Sequence, residues 1–257
     1  MTKFRYGVYL KTFKRIPLLE RVITHILKNT SYLTGADKLT VVPDDAETVL
    51  WLRRHYEGNP RIRLLLSQVR RGSCGTYRES VEDSVRRGCD YTVVFEDDCF
   101  PYRDGWLPIV DQFFSLAGNR FRLLNFCVSK PFKGIYGRRK TAIVDGAAVR
   151  NQEEVGPFLV QDLTIDTFPF SVVKNAVFKH THIVDPFFKI YGFWHSEMQL
   201  RLQRKGLIPW RTAHLKVLEE YIYAMDFLAE GVMQGLTLAE KRSFIHRNGE
   251  WSTKVRG

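Results

Sequence analysis

Several features that would fix a scaffold or a compartment are missing from this sequence. Its four cysteines, Cys74, Cys89, Cys99 and Cys127, form no CxxC pair. A chain of 257 residues does not need disulfides to fold, so a stapled secreted scaffold is set aside in favour of a reducing interior. The N-terminus, MTKFRYGVYLKTFKR, is interrupted by charge every few residues and lacks the apolar core of a signal peptide. No apolar run approaches the roughly 20 residues of a membrane span. The expectation is a soluble, cytoplasmic protein without a transmembrane segment, with peripheral contact to anionic lipid left open. There is no internal repeat and no low-complexity linker. Acid is the scarcer charge: 28 Asp and Glu stand against 39 Lys and Arg, a net charge of +11. The surface field is therefore positive and favours phosphate-bearing or otherwise acidic partners.

With 44% hydrophobic residues the chain can bury a substantial core, and one large α/β domain is expected. Strand and helix signals alternate. Tyr6 to Leu10 is a first strand. After Pro17, apolar residues at Leu18/Leu19, Val22/Ile23 and Ile26/Leu27 have the spacing of a helix with one buried stripe. LTVV, 39–42, is a second strand stopped by Pro43-Asp44-Asp45, and a helix follows from Ala46 to His55. RIRLLL, 61–66, reads as a third strand, GTYRESVEDSVRRG, 75–88, as a third helix, and YTVVF, 91–95, as a fourth strand. Such alternation indicates a mostly parallel sheet with helices on both faces. Ligands then bind at the carboxyl ends of the strands. That rule gathers Thr12, Asp44, Asp45, Glu96, Asp97 and Asp98 along one edge.

From 129 to 156 the sequence is rich in charge and glycine without a sustained period, and long loop excursions are expected. Order returns with FPFSVVKNAVFK, 168–179, and a helix from Ser196 to Arg204. A further helix begins near Leu236 and leads into a basic end.

The stretch YTVVFEDDCF, 91–100, ends a buried-looking strand on three consecutive carboxylates. A solvated acidic turn is the bland explanation. Like charges held together raise one another's pKa unless a cation sits among them, so a fixed acidic cluster at a cleft suggests a divalent metal. One or two carboxylates would hold it, and substrate phosphates would complete its shell.

The order of these landmarks, from about Tyr6 to His214, resembles the family 2 glycosyltransferases with the GT-A fold, which carry a DxD-type motif after the fourth strand. The resemblance implies a Rossmann-like, mostly parallel central sheet flanked by helices in a single domain over 1–257. A nucleotide-sugar-binding half, 1–127, would precede an acceptor half, 128–215, and a helical, basic extension, 216–257. LTVVPDDAET, 39–48, is similar to the family's acidic turn, so Asp44 or Asp45 would contact the base. In RRGSCGTYRESVEDSVRRGCDYTVVFEDD, 70–98, Arg78 would lie near the base or diphosphate, Asp97 near the ribose, and Asp98 on the metal, with Glu96 supporting them. Glu79 stands where the family usually has asparagine.

DPFFKIYGFWHSEMQLRLQRKGL, 185–207, looks like the acceptor-side helix, with Glu197, Leu200, Arg201 and Gly206 in its frame. Trp194-His195 occupies the place of the usual acidic pair, leaving Glu197 or His195 as general base. His214, in RTAHLKV, matches a histidine that supplies a second metal ligand. The implied activity is transfer of a hexosyl or pentosyl group from a nucleotide-sugar, UDP-linked, to an acceptor hydroxyl with inversion, assisted by Mn2+ or Mg2+.

Two other classes fit parts of the sequence. A metal-dependent nuclease would also join acids to a basic surface. A non-catalytic module of transferase descent would fit the missing acidic pair. Arginines at 53, 54, 61, 63, 70 and 71 cluster in sequence, as do basic residues at 130, 133 and 138–140, followed by a basic C-terminus; if the middle and final clusters share the acceptor face, they would suit a polyanion, either DNA bearing a hydroxymethylated base or a surface glycan. Phe193, Trp194 and Trp251 could stack on an exposed base.

Overall fold

The computed structural model describes residues 2–33, 37–67, 69–126, 148–164, 169–188 and 194–224. The chain begins with strand β1 (Tyr6–Thr12), helix α1 (Ile16–Lys28), β2 (Leu39–Pro43), α2 (Ala46–Tyr56), β3 (Ile62–Leu64), α3 (Gly72–Arg86) and β4 (Tyr91–Glu96). It continues through β5 (Cys99–Pro101), α4 (Trp106–Ala117), β6 (Leu123–Phe126), β7 (Val149–Val155), β8 (Phe158–Leu163), β9 (Phe170–Lys174), α5 (Trp194–Arg204), β10 (His214–Leu215) and β11 (Ile222–Ala224).

The main sheet runs β3-β2-β1-β4-β9-β6. Its first four strands are parallel, and β9 pairs antiparallel with both β4 and β6. Because both faces of these strands are covered, β1 and β2 are buried at every position. Side-chain alternation assigns the layers. Tyr6, Val8 and Leu10 of β1, with Tyr91, Val93 and Phe95 of β4, share a core with Leu19, Val22, Ile23 and Ile26 of α1 and the aromatic side of α4. Tyr9 and Val94 point the other way, into a core built with Tyr77 and Val81 of α3 and Trp194, Met198 and Leu202 of α5. Helices α1 and α4 therefore cover one face, and α3 and α5 the other.

Contact between α3 and the sheet depends on Gly7. A Cβ at this position would stand 2.7 Å from Ser84 Oγ and 2.8 Å from a ring carbon of Tyr9, so no side chain fits between strand and helix. Gly7→Ala is expected to lower stability by about 1–3 kcal/mol, the usual cost of overpacking. Chemical denaturation measures this, and an unchanged midpoint would mean that α3 shifts outward freely.

Two small sheets complete the described fold, β10-β8-β7 and β11-β5. The second matters for the site. β4 ends at Glu96, Asp97 and Asp98 make the turn, and β5 starts at Cys99, so pairing of β5 with β11 fixes the acidic turn from its far side.

The elements read along the first 96 residues all occur, with ends shifted by a few residues. Two regions differ from expectation. Residues 149–155, taken as loop, form β7: VRNQEEV is an outer strand whose residues are mostly exposed on both faces, so it lacks the apolar alternation by which strands are recognised. Helix α4 has no counterpart in the sequence expectations, because WLPIVDQFFSLA is nearly continuous in apolar residues and shows little polar face. The basic residues at 130, 133 and 138–140, Phe193, Trp251 and the helix near Leu236 lie outside the described residues. Among the described residues, no helix is long and apolar enough to cross a membrane.

Candidate active site

The carboxyl ends of β1, β2 and β4 open into one cleft. It is lined by Lys11, Thr12, Phe13, Arg15, Asp44, Arg70, Gly72, Ser73, Thr76, Glu96 and Asp97. Four of the residues selected from the sequence, Thr12, Asp44, Glu96 and Asp97, thus meet although they come from three separate strand ends. Asp98 adjoins them through a shared partner.

That partner is Arg15. One guanidinium nitrogen, Nη1, lies 2.8 Å from Asp97 Oδ1 and 3.0 Å from Asp98 Oδ2. The turn that aims Arg15 is constrained. Lys14 has φ of 52°, a left-handed conformation that costs a non-glycine residue about 1–2 kcal/mol. Its backbone N–H donates to Asp45 Oδ2 at 2.9 Å, and the Phe13 N–H donates to Asp97 Oδ2 at 3.2 Å. These bonds hold the turn between β1 and α1 over the acids. Burial, together with the charges of Glu96 and Asp97, pushes the Asp98 carboxyl up to about 7, although Arg15 draws it down. Burial also raises Asp97 against the pull of Arg15.

Lys11 supplies the second cation. Its side chain is 6% exposed, and Nζ lies 2.9 Å from Glu96 Oε1 and 3.1 Å from Ser73 Oγ. The same ammonium sits 5.1 Å from the centroid of the Trp194 ring and 5.8 Å from that of Tyr77. Lys11 therefore ties the acidic strand end to the start of both α3 and α5.

The two aspartates that follow β2, Asp44 and Asp45, have structural duties. Asp45 caps α2, accepting from the Thr48 N–H at 2.9 Å and the Thr48 hydroxyl at 2.7 Å. Asp44 accepts backbone N–H bonds from Arg71 at 2.6 Å and Gly72 at 2.8 Å, joining the end of β2 to the start of α3. Burial raises its pKa in spite of these donors. Arg71, also buried, donates to the Pro43 carbonyl at 2.7 Å and pairs with Glu79. Glu79 thus serves as the counter-ion of Arg71. Arg70 stacks on Phe13 at 4.2 Å, with Nε 3.8 Å from Asp44 Oδ2. Arg78 does not line the cleft: its side chain is 50% exposed on the outer side of α3, 4.0 Å from Glu82. Arg70 lines the cleft, and Arg71 is buried beside Asp44.

On α5, Glu197 is gripped by Arg201, with Nε 2.7 Å from Oε1 and Nη2 3.1 Å from Oε2. Arg201 is itself anchored to the Thr181 hydroxyl at 2.6 Å and the His182 carbonyl at 2.7 Å. His195, half-buried, lies edge-on to Trp194. Trp194 is buried against Tyr77 at 4.7 Å and lies 5.1 Å from Lys11 Nζ, so the helix carrying Glu197 and His195 starts beside the strand-end cleft. His214 is fully buried, and its Nε2 lies 3.0 Å from Glu219 Oε1, which also accepts from Lys216. Burial is overcome by these two partners, and the Glu219 pKa is lowered.

A divalent ion, which the resemblance implies, fits the acidic turn by the chemistry of its donors. Two carboxylates face one cationic atom, and among the described residues Asp98 Oδ1 is buried without a hydrogen-bond partner. Among the same residues, Lys11 and Arg15 set two cations against the three carboxylates. Hard oxygen donors of this kind suit Mn2+ or Mg2+, with phosphate oxygens filling the remaining positions. His214 Nε2 is bonded to Glu219, and among the described residues no group of three ligand-bearing side chains within 4.8 Å joins it to this set. Among the described residues, the trio with ligand atoms all within 4.8 Å of one another is His182, Asp185 and Glu197. Glu197 is already neutralised there by Arg201, and we assign no ion to that trio.

The sequence reading missed Lys11, Phe13 and Arg15, and it noted Glu79 without its pairing to Arg71. The strand-end rule that selected Thr12 also covers its neighbours, but attention to carboxylates passed over the cations facing them. Of the six arginines between 53 and 71, Arg53 and Arg54 are exposed on α2. Arg61 donates to the carbonyls of Leu27 and Leu33, and Arg63 pairs with Asp83. With Arg70 lining the cleft and Arg71 buried beside Asp44, this cluster does not form one surface patch.

No protein-family profile matches the sequence, and no curated protein matches it in sequence. Solved structures do match in fold. S. aureus TarS, residues 1–349, superposes with a TM-score of 0.54 at 14% identity, covering 86% of this chain and 60% of that one. The UDP complex of the same protein gives 0.56 at 13% identity, with the same coverage. GalNAc-T7 with UDP, GalNAc and Mn2+ gives 0.63 at 9% identity, covering 91% of this chain and 46% of that one. The chain thus has the GT-A fold of these glycosyltransferases. It spans less than two thirds of their length.

Proposed function

We propose that this chain is a glycosyltransferase that takes a hexosyl or pentosyl group from a nucleotide-sugar, UDP-linked, and passes it to an acceptor hydroxyl with inversion. The observation that carries this reading is the meeting of Asp97, Asp98, Asp44 and Thr12 at one strand-end cleft of a GT-A fold. The donor belongs in the 1–127 half and the acceptor against 128–215.

Asp98, with Asp97 beside it, would hold Mn2+ or Mg2+, which when bound acts as a Lewis acid toward the diphosphate leaving group. Arg70, stacked on Phe13, offers a cation and a flat surface to the nucleotide. Lys11 keeps Glu96 in place at the strand end. Glu197, oriented by Arg201, is the general base that accepts the acceptor's proton, with His195 as the other candidate. The net charge of +11 favours a polyanionic acceptor, DNA with a hydroxymethylated base or a surface glycan.

A second reading, a nucleotide-binding module without turnover, is favoured by one observation: Asp97, Asp98, Glu197 and His214 are all paired within the chain. The test is a panel of nucleotide-sugars with manganese, followed by thermal stabilisation and by release of nucleoside diphosphate. Stabilisation with release is expected from one donor in the panel. Stabilisation without release from any donor would favour the module, and neither response would sink both readings.

A further inference from the structure

The cation that stands between Asp97 and Asp98 belongs to the chain itself, and this has a consequence for how the site is loaded. We propose that Arg15 is a resident counter-cation of the acidic turn, displaced when a divalent ion arrives and then available to the donor diphosphate. The inference rests on the metal-dependent transferase reading and deepens it.

Geometry supplies the first argument. A single nitrogen, Arg15 Nη1, contacts both carboxylates, at 2.8 and 3.0 Å, so ion and guanidinium compete for the same oxygens. Charge supplies the second. Among the described residues, Glu96, Asp97 and Asp98 are opposed by Lys11 and Arg15, three formal carboxylates against two cations. Exchange of Arg15 for a divalent ion matches all three, because Lys11 keeps its place on Glu96. The exchange releases a guanidinium into a cleft that Lys11 and Arg70 also line, where an incoming diphosphate is the acid that can take it.

The third argument is the mounting. Arg15 stands at the start of α1, directly after Lys14 with its left-handed backbone, and the Lys14 N–H is tied to Asp45. The backbone of this turn is thus held by main-chain N–H bonds to Asp45 and Asp97 Oδ2 that do not involve the Arg15 side chain, and the long arginine side chain can move without it. Metal and nucleotide then bind cooperatively: the ion frees the arginine, and the diphosphate keeps it from returning.

The test measures binding rather than turnover. Free Mn2+ is followed by electron paramagnetic resonance, with and without UDP, for the full chain and for Arg15→Gln, Arg15→Lys and Asp98→Asn. Removing the competing charge in Arg15→Gln is expected to tighten Mn2+ binding without UDP by about tenfold or more. The same variant should weaken UDP binding at saturating Mn2+, so that the two effects have opposite signs. Arg15→Lys, which keeps the charge, should stay near the wild type without UDP, and Asp98→Asn should lose Mn2+ in both states. Arg15→Met gives a second uncharged variant if the glutamine protein does not fold. If uncharged variants leave Mn2+ binding unchanged or weaker while Asp98→Asn abolishes it, the role given to Arg15 is wrong and the metal site stands. If Asp98→Asn binds Mn2+ as the wild type does, or the wild type binds neither Mn2+ nor UDP, the underlying reading falls as well.

Discussion

Asn in place of Asp98 is expected to lower manganese-dependent release of nucleoside diphosphate by on the order of 10²–10³-fold. The substitution keeps the shape of the side chain and removes one anionic oxygen from a site where charge decides binding. Asp98 shares Arg15 Nη1 with Asp97 and, among the described residues, has its other oxygen buried without a hydrogen-bond partner. Asp97, by contrast, also accepts the Phe13 N–H, so part of its duty is to hold the turn. The loss at Asp98 should therefore appear in turnover at saturating donor, with thermal stability little changed. Product release assayed over a manganese titration is the measurement. Full activity in Asp98→Asn would place the ion, and the chemistry, somewhere else in the chain.

Asp44→Ala is expected to act on stability, at a cost of about 3–5 kcal/mol. Asp44 accepts two backbone N–H groups, from Arg71 and Gly72, in a buried setting, and Arg71 beside it is buried too. Alanine would strand both donors and leave the Arg71 charge with Glu79 as its remaining acid. For a chain of this size such a loss lowers the melting temperature by on the order of 10 °C. Asp44→Asn should lose less, because its carbonyl still accepts one of the two bonds. A melting temperature unchanged in Asp44→Ala would mean that the junction between β2 and α3 is held by Arg71 alone.

These two residues show how far the sequence carried. The β/α alternation was legible because buried parallel strands are short and apolar and their helices carry one-sided stripes. The strand-end rule then placed Thr12, Asp44, Glu96 and Asp97 together without knowledge of any contact. What each acid does there was not legible. Asp45 as a cap could be read locally, since Thr48 lies three residues on. The bonds from Asp44 to Arg71 and Gly72 cross 27 and 28 residues, and those from Arg15 to the acidic turn cross more than 80. Pairings at such separations are products of the fold. For His214 the reason differs: its bond to Glu219 spans five residues, but its burial is set by the packing of the fold.

The alternation along β1 also bears on folding fidelity. Tyr9 and Lys11 face the α3 and α5 layer, whereas Tyr6, Val8 and Leu10 face the α1 layer. A slip of one residue would exchange the two sets. It would also drive the Lys11 ammonium into the aromatic layer under α1, away from Glu96 and Ser73, at the heavy cost of an unpaired buried charge. The lysine at the strand's end therefore pins the register, so that the charge which orders the cleft also rejects the misaligned sheet.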